Sequence, residues 1–311
     1  MDQRTEQQAG VLYAALSYII WGVLPIYWKL LDHVNADEIL ANRVFWSFFF
    51  VAAVLLMNKK WGLFTGTLRG LAENKKKIAA LTVASMLISI NWFIYIWAVN
   101  TDQMIEASLG YYINPLVSVL LGMVFLKERL SIIQYISFAL AAIGVLVMTV
   151  SYGQFPWIAL TLAVSFGLYG LAKKLIKVDS TVGLALETLV VMPIAAIYIG
   201  YLVSKGSDSL FAGSWSTSLL LAGAGAATAL PLLFFAKGAQ RIPLATLGIL
   251  QYIAPTLTLM LGVFIYHETF SAVHLLAFTF IWSALILYSL SRTKIAAALS
   301  LKMKKEKGMP M

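Results

Sequence analysis

Residues 111–131 read YYINPLVSVLLGMVFLKERLS, and residues 251–271 read QYIAPTLTLMLGVFIYHETFS. The two stretches align without a gap. Tyr112, Ile113 and Pro115 fall on Tyr252, Ile253 and Pro255; Ser118 and Gly122 on Thr258 and Gly262; Glu128 and Ser131 on Glu268 and Ser271. Each opens within an apolar run, 104–126 and 243–266, that reaches the roughly 20 residues a helix needs to cross hydrocarbon. Their ends differ. The first closes on Lys127, Glu128 and Arg129, the second on His267, Glu268 and Thr269. Lys and Arg collect in short loops on the cytoplasmic side of a membrane, so the two copies are expected to cross in opposite senses.

Outward from these copies the same texture continues. Of the 311 residues 60% are hydrophobic and 12% charged, against about 45–50% and 25% in a soluble domain, which rules out a single water-soluble fold. Cysteine is absent, and with it go disulfides, thiolate metal sites and thiol nucleophiles. The net charge of +9 would suggest nucleic acid if it formed one patch. Here the cations sit between apolar runs, so no nucleic-acid partner is expected. Ten such runs are legible, roughly 10–30, 38–57, 78–100, 104–126, 131–150, 156–176, 182–203, 217–239, 243–266 and 271–290. They are apolar all round rather than alternating, which argues against barrel strands. The longest connection, about 58–77, reads as polar and basic. The expected fold is an all-α membrane protein of ten transmembrane helices.

With the N-terminus inside, all but three of the 23 Lys and Arg fall on the inner side; Lys29 and Lys205 lie outside and Arg43 within a span. Both termini are therefore expected to be cytoplasmic. Five spans per copy is an odd number, so the chain divides into two inverted five-helix repeats, 1–150 and 151–291, followed by a basic tail, 292–311, that would lie on an anionic inner leaflet with membrane lipid as its partner. Inverted repeats are a frequent transporter architecture, because two similar halves can exchange conformations about a central site. Duplication kept for folding alone is the plainer alternative.

At this point the sequence resembles the RarD branch of the EamA-domain drug/metabolite transporter superfamily. The resemblance covers nearly the whole chain. Its residues are 24–31 (LPIYWKLL), 38–47 (EILANRVFWS), 91–100 (NWFIYIWAVN), 106–122 (EASLGYYINPLVSVLLG), 248–256 (GILQYIAPT) and 280–289 (FIWSALILYS). The resemblance implies two EamA repeats, a bacterial inner-membrane location and a central cavity lined by the first, third, fourth, sixth, eighth and ninth spans. Asn42 stands where the family often carries His, so no titrating imidazole is expected beside Arg43.

Counting inward at 1.5 Å per residue puts Asn114 about 15 Å deep, near the midplane. Pro115 follows and frees the carbonyl of Tyr111; Pro255 does the same for Gln251 in the ninth span. Freed carbonyls are tolerated where they face protein or a water-lined cavity, so these two breaks are candidate markers of a binding site or, more plainly, packing kinks. Asn91 lies one helical turn from Tyr95. Amides at such depth either glue helices together or orient a ligand; Asn91, Asn114 and Gln251 are candidates for both. Trp21, Tyr95, Tyr111, Tyr169 and Tyr252 would suit amphipathic or aromatic solutes, or would serve as core filler. Charges within spans are costly and usually functional. Arg43 sits near the outer face and Glu187 at the approximately equivalent inner place; they are candidates for gating or for snorkelling to the interface. Glu128 and Glu268 read as acids at the starts of the helices that follow them.

These features predict a secondary transporter, an exporter of small metabolites or drugs, working by alternating access about a midplane cavity. No catalytic residue, metal site or cofactor is expected: no GxxxxGK[ST], HExxH or GxSxG occurs, and His33, His267 and His274 are scattered. The expected partner is a small-molecule substrate. The small-residue faces at Ser118 and Gly122 and at Thr258 and Gly262 suit internal packing first, so the chain is expected to be a monomer or weak dimer. The alternative is a membrane-embedded protein that does not transport, an enzyme or a sensor.

Overall fold

The computed structural model describes residues 3–126, 132–152, 155–174, 178–239, 241–242 and 250–291. The turn of Lys127, Glu128 and Arg129 and the 292–311 tail lie outside them, as do the surroundings of Ser118 and Gly122. Among the described residues the chain is all helix, with no strand. The helices are α1 (Gln3–Lys29), α2 (Ala36–Met57), α3 (Trp61–Ala72), α4 (Lys75–Asn100), α5 (Met104–Leu126), α6 (Ile132–Tyr152), α7 (Trp157–Lys174), α8 (Ser180–Lys205), α9 (Trp215–Ala239), α10 (Ile253–Met260, continued by a π turn over Leu261–Ile265) and α11 (Ala272–Ser291).

Six of them (α1, α2, α4, α6, α8 and α9) are long and apolar enough to cross a membrane, and shorter apolar helices cover Trp157–Ala172, Ile253–Ile265 and Ala272–Tyr288. Their outward surface is hydrocarbon-like: Ile19, Ile90, Val124, Ile197 and Ile286 are all exposed. A soluble monomer rarely presents so much contiguous apolar surface. The protein is a multi-pass membrane protein.

One helix was not expected. The basic connection 58–77 contains α3, which buries Phe64 and Leu71 against the bundle and leaves Trp61, Leu63 and Leu68 exposed. Apolar residues on both flanks of a short, one-face-buried helix suit a position along the membrane interface. Asn74 then caps α4, its Oδ1 accepting from the backbone N–H of Lys76 and Lys77.

The packing partners are not sequential neighbours. α1 lies on α9 and α10, α7 lies on α4 and α5, α2 lies on α8 and α9, and α6 pairs with α11. Glycines set the closest of these approaches. A Cβ on Gly225 would come within 2.4 Å of the Trp46 carbonyl carbon, and one on Gly110 within 2.7 Å of the Ala159 oxygen.

Glu268 corrects one expectation. Its carboxylate caps α5 rather than the helix that follows it, accepting from Met104 N (2.7 Å) and Ile105 N (2.9 Å). Glu106 does the same for α7, accepting from Ile158 N at 3.1 Å. Both place negative charge on the unpaired amides of a helix start, and both join segments far apart in sequence.

Candidate functional site

A polar group in an apolar bundle must find partners or face a ligand. Asn91, past the middle of α4 and 1% exposed, finds them. Its Nδ2 donates to Leu162 O (2.9 Å) and Ser165 Oγ (3.0 Å) of α7, and its Oδ1 accepts from Tyr111 Oη of α5 at 3.1 Å. With both ends of its amide engaged, Asn91 fixes the Tyr111 hydroxyl and ties α4, α5 and α7 together. The Tyr95 ring meets that of Tyr111 edge-on, with centroids 5.5 Å apart.

Arg43 lies against this group. It is buried at 4% exposure, and its guanidinium is held between two indoles, 5.0 Å from the Trp28 ring centre of α1 and 4.2 Å from that of Trp92 of α4. Tyr95 and Tyr111 are within electrostatic reach of it. Among the described residues no carboxylate pairs with it, and both its Nε and the indole Nε1 of Trp28 are buried without a hydrogen-bond partner. Stacking on a desolvated ring gives about 2 kcal/mol per ring, whereas removing an ion from water costs several kcal/mol even after relaxation. The rings offset only part of that cost.

Glu187, also 4% exposed, accepts from Tyr169 Oη at 3.0 Å. It lines a cavity together with Val44, Ile88, Ser89, Trp92, Thr188 and Val191. Arg43 and Glu187 do not pair with each other. They were expected near opposite faces of the membrane, yet both adjoin Trp92, Arg43 over its ring and Glu187 across the cavity that the ring helps to wall. The cluster therefore draws on α1, α2, α4, α5, α7 and α8.

The other candidates are distributed more widely. Tyr252 stacks on Tyr112, with centroids 6.2 Å apart and an interplanar angle of 19°, so the two aligned tyrosines meet. Trp21 joins Tyr18 and Phe235 in an aromatic cluster between α1 and α9. Asn114 and Gln251 are half-buried and form no hydrogen bond with the Asn91 group. The two prolines differ in setting. Pro115 lies inside a helix that runs on through it, whereas Pro255 is the third residue of α10, where the missing N–H is one that a helix start leaves unpaired in any case. The matched pair of breaks expected from the sequence is thus one interior proline and one helix-start proline.

Trp28, Trp92 and Ser165 belong to the site and were not singled out. The signal for them was Arg43 itself: a cation inside a span demands company, and the positions one helical turn either side of it, 39, 40, 46 and 47, hold no acid.

Comparison with known proteins gives a consistent picture. The EamA-like transporter family matches residues 8–150 and again 156–290. The chain is 52% identical over 295 residues to a Bacillus subtilis (strain 168) protein named as the uncharacterized transporter YojE, covering 94% of this chain and 97% of that one. It is 44% identical over 288 residues to Protein RarD of Escherichia coli (strain K12), with 93% and 96% covered. A solved crystal structure, 19% identical, superposes with a TM-score of 0.58 over 91% of this chain and 97% of the other, a likeness of fold.

Proposed function

The chain belongs to the EamA-like transporter family, within its RarD branch, and from that premise we propose that this membrane transporter exports small metabolites or drugs by alternating access about the Arg43–Asn91–Tyr111 cluster. The observation that carries this reading is a buried, incompletely partnered polar cluster built by helices of both halves. A polar interior of this kind is costly in lipid unless it is used.

On this reading ten helices cross the bilayer as two inverted repeats. The packing partners support it. Exchanging the halves turns the α1 contacts with α9 and α10 into the α7 contacts with α4 and α5, and returns the α2–α8 and α6–α11 pairs to themselves. The charge distribution then puts both termini on the cytoplasmic side of a bacterial inner membrane.

Flux of candidate solutes in proteoliposomes containing the full chain tests the proposal. Asn91→Ala, which frees the Tyr111 hydroxyl, is expected to lower flux by about tenfold, the loss of a little over 1 kcal/mol of positioning, with expression intact. Asn114→Ala and Gln251→Ala are expected to do less. Wild-type flux in Asn91→Ala would remove the cluster from the transport path, and wild-type flux in the other two would remove Asn114 and Gln251.

A further inference from the structure

The buried carboxylates among the described residues are answered by backbone N–H groups or by hydroxyls. Glu38 accepts from Ser209 N and Oγ, Glu106 and Glu268 cap helix starts, and Glu187 accepts from Tyr169. Arg43 is answered by rings. The atoms left over around it are donors: its own Nε from α2 and the Trp28 Nε1 from α1, whose ring lies 5.0 Å from the guanidinium carbon. Asn42 Oδ1, an unpartnered acceptor on the neighbouring position of α2, bonds to neither. What Arg43 lacks is an anion of its own: Glu187, across the cavity beyond Trp92, accepts from Tyr169 and does not pair with the guanidinium.

Building on the transport reading above, we propose that the transported solute is a small aromatic carboxylate whose carboxyl group is recognised by Arg43 with the Trp28 indole N–H. Three properties select this class. A single guanidinium with one added donor matches one negative charge, and a phosphate dianion would call for more cations than the one present. The planar guanidinium fork fits a carboxylate in two-point fashion. The donors sit among the aromatic rings of Trp28, Trp92, Tyr95 and Tyr111, surroundings that suit a ring better than a polar chain. Asn91 acts through Tyr111 and is a positioning residue.

The test uses the purified full chain and three probes with one aromatic body and three charges: phenylacetate, 2-phenylethanol and phenethylamine. Tryptophan fluorescence in detergent reads binding, and counterflow in proteoliposomes reads transport. Phenylacetate is expected to bind saturably and the cation not at all. Arg43→Gln is expected to weaken phenylacetate binding by about tenfold or more. Arg43→Lys keeps the charge and retains part of it. Trp28→Phe keeps an aromatic face but loses the N–H and, in all, three heavy atoms at a fully buried position, so it is expected to cost some thermal stability and to weaken phenylacetate binding more than binding of the uncharged 2-phenylethanol. Should Arg43→Gln fail to fold, the Lys and Phe variants carry the test. Equal binding of phenylacetate by wild type and the variants, equal binding of the amine, or no saturable phenylacetate binding would each overturn the proposal. Counterflow that persists in Arg43→Gln removes this site and leaves transport standing, whereas Arg43-dependent binding without counterflow does the reverse.

Discussion

In the first of the two aligned copies, Leu121 to Phe125 continue the α-helix of α5. In the second, the residues at the same register, Leu261–Ile265, open into a π turn closed by Tyr266 N on Leu261 O at 2.9 Å. His267 follows with φ 53°, a left-handed conformation uncommon for a residue with a side chain, and Glu268 N returns to Gly262 O at 2.9 Å. This curl is what brings the Glu268 carboxylate onto the first amides of α5. The comparison teaches that a duplicated sequence need not adopt duplicated backbone. Two copies held in different conformations are what alternating access requires of its two halves at any one moment, and π turns recur at such functional positions.

The strongest way to break this comparison is to remove the reach of the second copy into the first. Glu268→Ala leaves the Met104 and Ile105 amides without their acceptor in a partly buried setting. Thermal unfolding of the full chain in detergent is expected to show a loss of about 2 kcal/mol, the upper range for a helix cap and within that for a buried donor left unpaired. Glu268→Gln, which still offers one oxygen, should lose about half. A change no larger than that of an exposed substitution such as Ser204→Ala would mean that the curl holds itself without the carboxylate.

Much of this was legible beforehand and some was not, for a reason of range. Hydropathy is a local property, and most described helix ends fell within a few residues of the expected spans; the exceptions are α1, which starts at Gln3 rather than near 10, and α10, which starts at Ile253 within a span expected from 243. The helix α3 escaped because the spacing of Trp61, Phe64, Leu68 and Leu71 marks an amphipathic face, whereas a search for spans asks for uniform apolarity. Arg43 was recognised as anomalous, but its partners lie 15 and 49 positions away on other helices. Glu268 was assigned to the nearer helix start; its partner amides are more than 160 residues distant, and no local pattern points to them.

The two prolines sharpen the comparison at a smaller scale. Pro115→Ala adds an N–H inside α5 that can bond to Tyr111 O, and is expected to raise stability by about 1 kcal/mol, well short of the roughly 3 kcal/mol of an isolated helix because neighbouring groups already compensate. Pro255→Ala, at a position whose N–H a helix start leaves unpaired, should change stability by only a few tenths of a kcal/mol. If proteoliposome flux falls for Pro115→Ala while stability rises, the interior break serves movement rather than folding. Equal effects at both prolines would erase the distinction between the copies.

Where the copies touch, Tyr112 Oη and Thr256 Oγ1 are 2.6 Å apart and the rings of Tyr112 and Tyr252 stack. A double-mutant cycle with Tyr112→Phe and Thr256→Val isolates the hydroxyl contact and is expected to give a coupling of about 1 kcal/mol. Coupling near zero would mean that the crossing is held by the rings alone.

The smallest expected effects are in pH dependence, and they have opposite signs at the two ends of the bundle. Burial pushes the Asp179 carboxyl up, but the hydrogen bonds from Lys60 Nζ, Val182 N and Thr181 N outweigh it and hold the carboxyl below its usual range. Its contribution to stability is therefore present above the ordinary Asp value, about 3.9, and is lost as pH falls through the lower folded value. For Glu268, burial raises the carboxyl above its usual range despite the donors at Ile105 and Met104 and the nearby Lys29. That contribution is present below the ordinary Glu value, about 4.3, and is lost as pH rises through the higher folded value. Melting temperatures of wild type, Asp179→Asn and Glu268→Gln from below the ordinary Asp value up to neutral pH should separate the two: the first variant loses sensitivity at the acid end, the second the decline toward neutrality. Parallel profiles for all three proteins would mean that neither carboxyl changes its proton affinity on folding, and the asymmetry between the two ends would then rest on backbone geometry alone.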